Sequence, residues 1–114
     1  MPAAEPYVDL YLLPVIRAKL DAYKVQASTF GAVAREHGAL SYREFIADDP
    51  GQTLQVEDGL VMTAAVVEFE SRAHRDEVMA AVISDPRVEA MGADPQPADM
   101  SRMTYGGFAP LVTA

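Results

Sequence analysis

The chain predicts an α+β fold with the element order βαββαβ, and three observations carry the prediction. Four short runs are rich in β-branched, aromatic and aliphatic residues, and two segments between them repeat apolar residues every three or four positions. Glycine, proline and aspartate clusters mark the boundaries. At 114 residues, half of them hydrophobic, the chain is long enough to bury a core as one domain.

The first six residues read as a disordered N-terminal extension, and residues 7–114 as a single domain. Tyr7 to Leu13 (YVDLYLL) form the first strand, which Pro14 is expected to end. From Ile16 the stripe Ile16, Leu20, Tyr23, Ala27, Phe30, Ala34 and His37 describes one face of a long helix, stopped at Gly38. Ala39 to Ala47 form a weaker second strand, and DDPG at Asp48 to Gly51 supplies turn chemistry. Leu60 to Phe69 (LVMTAAVVEF) are the third and most apolar strand. Ser71 is the expected N-cap of a second helix with Arg75, Val78, Met79, Val82 and Ile83 inward. Asp85-Pro86 should end it, because a residue before proline is pushed out of the helical region. Residues 90–101 read as irregular cover, and Arg102 to Val112 as the fourth strand.

This order is the ferredoxin-like arrangement, one antiparallel four-stranded sheet with both helices on one face. Yet the first and third strands are apolar on both sides. A half-solvated antiparallel sheet alternates apolar with polar, so something must cover the open face. The expected cover is a second copy of the chain, burying on the order of 2,000 Å² or more, with residues 90–101 folded under the sheet as the alternative. The partner expected is therefore the chain itself, as a homodimer whose sheets enclose a barrel.

Several stretches carry a resemblance. YVDLYLLPV, REHGAL, SRAHRDEV, SDPRVEAM and RMTYGGF, in this order, resemble the YbaA-like family of small bacterial proteins, a domain of unknown function in the dimeric α/β-barrel superfamily. The resemblance runs from about Tyr7 to Phe108. It implies a ferredoxin-like protomer and a homodimer, and it implies no activity. The stretch from Asp49 to Leu60 looks shorter than the family's loop. Ser101, Ala109 and Phe45 stand where the family usually has lysine, glutamate and cysteine, so a mechanism using those groups is absent here.

Strand parity sends Tyr7, Asp9 and Tyr11 one way and Val8, Leu10 and Leu12 the other. The aliphatic set suits the helices, which leaves the tyrosines and Asp9 facing the barrel. Asp9 is the main polar anomaly; buried, it needs a cation, with Arg43 or Arg102 expected. Asp9 and His37 are the candidate acid/base groups, with a fixed Asp–Arg pair and a helix-end cap as their structural alternatives. Tyr7, Tyr11, Arg43, Arg102, Tyr105, Gly106 and Gly107 are candidate ligand-binding residues. The paired glycines beside Tyr105 let a neighbouring backbone pack tightly, or leave room for a ligand, or form a bulge that re-aims the tyrosine. The bulge is the expected reading, because closing a barrel demands such a bend. Arg72, His74 and Arg75 crowd the first turn of the second helix, against its dipole. They either bind an anion or pair locally, Arg72 with Asp76 and Arg75 with Glu68 or Glu70.

A net charge of −8 argues against nucleic acid. The absence of cysteine excludes disulfides and thiolate chemistry. Two histidines without further ligands at close spacing give a metal only weak support, so none is expected, and no phosphate loop or dinucleotide fingerprint suggests another cofactor. No apolar run reaches membrane-spanning length, and MPAAEP lacks the pattern of a secretory signal, so the expected location is cytoplasmic. The leading function is binding of a small, mostly apolar organic molecule in the barrel. The superfamily resemblance adds a cofactor-independent enzyme of monooxygenase or isomerase type, with Tyr11 and Tyr105 orienting the substrate. A structural dimer with a filled interior is the third possibility.

Overall fold

The computed structural model describes residues 5–93 and 96–114. The expected N-terminal extension therefore lies outside the described residues except for Glu5 and Pro6. The elements run β1 (Tyr7–Ile16), α1 (Leu20–Glu36), β2 (Ser41–Ile46), β3 (Leu60–Phe69), α2 (Arg72–Ile83), α3 (Pro86–Ala93) and β4 (Thr104–Phe108). The four strands form one antiparallel sheet in the order β2-β3-β1-β4. This is the ferredoxin-like topology that the sequence predicts.

Pro14 does not end β1; it sits inside the strand opposite Met62. Its missing N–H costs nothing there. Residues of that parity point toward β4, which has stopped at Thr104 opposite Leu12. Two residues on, the N–H of Ile16 reaches instead for the carbonyl of Pro97 at 3.0 Å. Ile16 thus belongs to the strand, and a 3₁₀ turn over Arg17–Lys19 leads into α1. The helix ends as expected, at Gly38 with φ +120°.

Ser71 caps α2, its hydroxyl accepting the N–H of His74 at 3.1 Å. Pro86 opens a third helix as well as closing the second, because proline suits a first helical turn. Residues 90–93, read as irregular cover, are the last turn of that helix. β4 is also shorter than Arg102 to Val112, since Met100–Arg102 form a 3₁₀ turn and Pro110 removes a ladder donor.

β3 alternates without exception: Val61, Thr63, Ala65, Val67 and Phe69 are buried, and the residues between them only half-buried. The buried set faces the helices, where Val33, Ala34, Val78 and Val82 join Val67 and Phe69 in the core. Ile83, expected inward, is largely exposed. Register transfers β3's parity to its neighbour, since Tyr7 pairs with Phe69, Asp9 with Val67 and Tyr11 with Ala65. Tyr7, Asp9 and Tyr11 therefore lie on the helix-covered face. This reverses the expected assignment: Val8, Leu10 and Leu12 are on the open side.

Candidate functional site

Two polar centres lie in the helix-covered layer; Tyr11 donates to Asp9 Oδ2 in the first, at 3.4 Å, and lines the pocket beside the second. The first is the ion pair of Asp9 with Arg75, Nη1 to Oδ1 at 2.5 Å. Asp9 is only 4% exposed. Arg75 comes down from the first turn of α2, spans to Asp76 at 2.8 Å, and lies over the Tyr7 ring at 5.1 Å. Neither Arg43 nor Arg102 is the partner. Arg43 stands on the open face, 3.7 Å from Glu68, and Arg102 is held bidentate by Glu57. Arg75 correspondingly pairs with Asp9 and Asp76 instead of Glu68 or Glu70. Burial holds the Asp9 carboxyl above its ordinary range even with the guanidinium beside it.

RMTYGGF finds its explanation here. The ladder from Val8↔Phe108 to Leu12↔Thr104 is continuous, with no bulge. A Cβ on Gly107 would stand 2.0 Å from the Tyr7 hydroxyl and 2.8 Å from Arg75 Nη1. What approaches the backbone is thus Tyr7 and Arg75, from the same chain. Gly107→Ala is expected to cost about 2 kcal/mol, overpacking outweighing the smaller entropic gain of losing a glycine. Thermal unfolding checks this, and an unchanged midpoint would mean that Tyr7 and Arg75 yield freely. Gly106 lies on the other face beside the Phe108 ring. Tyr105 stacks on Tyr11 with centroids 5.8 Å apart, remaining 68% exposed.

The second centre is built around Glu44, which sequence reasoning missed. Glu44 and Tyr42 share the helix-facing side of β2, and Tyr23 descends from α1. Both phenols donate to Glu44 Oε1, Tyr23 at 2.9 Å and Tyr42 at 2.6 Å. Burial first, then the carboxylate they serve, pushes both tyrosines well above the usual phenol range, which keeps them protonated as donors. Gly31 makes this packing possible, for a Cβ there would meet Tyr42 Cδ1 at 2.6 Å. The signal available in the sequence was a carboxylate two positions after a tyrosine, on the parity opposite Arg43 and Phe45.

Around this centre α1 stands off the sheet and leaves a cleft in two parts. An outer bay of about 640 Å³ lies between α1 and β2, with Leu20, Lys24, Arg35 and Ile46 on its walls. An inner pocket of about 190 Å³ is lined by Leu13, Phe30, Ala65, Met91, Met100 and Met103, among others. Tyr23, Ala27, Tyr42, Glu44 and Thr63 border both. Of the ligand-binding residues proposed from sequence, only Tyr11 lines it.

The remaining candidates are held elsewhere. His37 Nε2 lies 3.0 Å from Asp85 Oδ2, joining the end of α1 to the α2–α3 turn rather than capping its own carbonyls. Arg87 grips the same aspartate through its backbone N–H and its guanidinium, and also reaches Glu36. These bonds, Arg87 foremost, hold Asp85 well below the usual carboxylate range. In the cationic trio, Arg75 is spent on carboxylates. His74 Nδ1 accepts the backbone N–H of Glu70 at 3.0 Å, which leaves that nitrogen no proton to offer an anion. Arg72 is exposed on α2.

Fold and cleft together define an α+β protein of the ferredoxin-like class with a helix–sheet pocket. The chain belongs to the family described as "Protein of unknown function (DUF1428)", whose model matches residues 6–100. It is 30% identical to the uncharacterized protein YbaA of Escherichia coli K12, over 93% of this chain and 97% of that one. Among solved structures it is similar to a NIPSNAP family protein of unknown function from Agrobacterium tumefaciens, with TM-score 0.67 and 14% identity, covering 96% of this chain and 91% of that one. A putative antibiotic biosynthesis monooxygenase from Chloroflexus aurantiacus matches with TM-score 0.54 and 18% identity over 96% and 97% of the two chains. At such identities these likenesses are of fold. Among the described residues, no helix is long and apolar enough to cross a membrane.

Proposed function

We propose that the protein binds a small, mostly apolar organic molecule, in the helix–sheet cleft rather than in a barrel between sheets. The observation that carries this reading is the cleft itself: a largely apolar concavity with a convergent polar cluster, Glu44 and the two tyrosines that donate to it, which is the usual make-up of a small-molecule site. Ala27 borders both compartments, so a large side chain there blocks both. Ala27→Trp is expected to weaken binding of 8-anilinonaphthalene-1-sulfonate at least ~10-fold, as followed by dye fluorescence. Unchanged dye affinity would overturn the reading.

The chain acts as a cytoplasmic homodimer in this proposal, joined through the open sheet face. That face presents Val8, Leu10, Leu12, Met62, Ala64, Val66, Phe45 and Phe108, and among its strand residues the only charges are Arg43 and Glu68. One cation and one anion on a greasy surface match a second copy turned about a two-fold axis better than a strongly charged partner. An enzyme of monooxygenase or isomerase type would use the same cleft, with Glu44 taking the acid/base role first considered for Asp9 and His37, since neither of those lines it.

A further inference from the structure

We infer that the occupant of the cleft carries a ring bearing a neutral hydroxyl, and that this hydroxyl donates to Glu44 Oε2. The inference rests on the cleft reading above and adds the chemistry of what is bound. Tyr23 and Tyr42 come from different elements yet converge on the same oxygen, Oε1. Among the described residues, none donates to Oε2. A carboxylate offers about four acceptor sites, so Oε2 is open to a donor from a bound molecule at a half-buried position that borders both compartments.

The surroundings choose among donors. Among the described residues, Glu44 is the only acidic one on the walls of the outer bay, where Lys24 and Arg35 also stand. An ammonium ligand would pass two cations on its way in, whereas a neutral hydroxyl meets no such repulsion. The inner pocket favours a ring. Phe30 and Tyr42 contribute tilted aromatic faces at 5.8 Å, and three methionines, Met91, Met100 and Met103, supply polarizable sulfur that suits aromatic edges.

The test compares 1-naphthol with 1-methoxynaphthalene, which shares the ring but has no donor, by calorimetric titration of the intact protein. The naphthol is expected to bind at least ~10-fold more tightly, the scale of one hydrogen bond to a charged acceptor. Glu44→Met removes the acceptor and is expected to bring the two affinities within about two-fold of each other. Equal affinities in the unmodified protein would overturn the role of Glu44 while leaving the cleft in place. Binding of both compounds that survives Ala27→Trp, or no binding of either at millimolar concentration, would overturn the cleft reading and this inference with it. The unmodified comparison needs no variant, so a folding defect in Glu44→Met leaves it decisive.

Discussion

Arg75→Met is expected to destabilise the protein by about 3 kcal/mol, because it strands Asp9 as an unpaired carboxylate beneath α2. Methionine keeps most of the length and apolar stem of the arginine, so the loss reports the charge rather than packing. Asp9→Asn combined with Arg75→Met should recover a good part of it, since no charge then remains buried. Denaturant melts of the two variants decide; a single variant as stable as the parent would mean that Asp9 finds water or another cation.

The effect has a definite pH sign. The folded-state pKa of Asp9 is raised above its unfolded value of about 3.9, so its stabilising contribution is complete below that pH and is lost on rising through the folded value. Removing Arg75 raises the folded value further. The deficit of Arg75→Met is therefore largest at neutral pH and shrinks on acidification, as protonation relieves the stranded charge. Asp85 has the opposite sign. Its folded pKa is depressed, so it contributes above the unfolded value and loses that contribution as pH falls toward the folded one. Acid unfolding should accordingly be led by the His37–Asp85–Arg87 junction and not by Asp9.

Leu10→Glu is expected to turn the proposed dimer into a monomer. Leu10 is 37% exposed on the open face, between Val66 and Gly106 in the two flanking strands, and takes no part in the core beneath the helices. A glutamate there leaves the protomer's own packing intact but buries an unpaired charge in each half of the proposed interface. Dissociation should rise by roughly 1,000-fold, the scale of several kcal/mol for unmatched interfacial charge. Sedimentation equilibrium reads this directly. A parent protein that is already monomeric at micromolar concentration would remove the dimer proposal, while dye binding in the cleft would stand or fall separately.

The two faces of the sheet show where the sequence was legible. Period-two alternation placed Tyr7, Asp9 and Tyr11 together, and register with Phe69, Val67 and Ala65 bears this out. Which side they occupy is not legible, because Val8, Leu10 and Leu12 are the greasier set and on apolar character alone the better match to the chain's own helices. Arg75 reverses that preference. It reaches Asp9 from α2, 66 positions away along the chain, and lets the polar edge lie beneath the helix. The glycine pair raised the right question, and its answer required seeing the Tyr7 ring cross Gly107. Glu44 went unnoticed because a lone glutamate in a weak strand looks solvated until Tyr23 and Tyr42 are seen to close on it.

By itself the sequence determined the order of the strands and two of the helices, the Ser71 cap, the stop at Gly38 and a sheet apolar on both sides. All of these follow from interactions a few residues apart or from simple periodicity. Tertiary structure alone decided which face the helices cover, which cation meets Asp9 and where the cleft opens. Alternation specifies which side chains share a face, but it is symmetric between the two faces. Only contacts between distant segments break that symmetry.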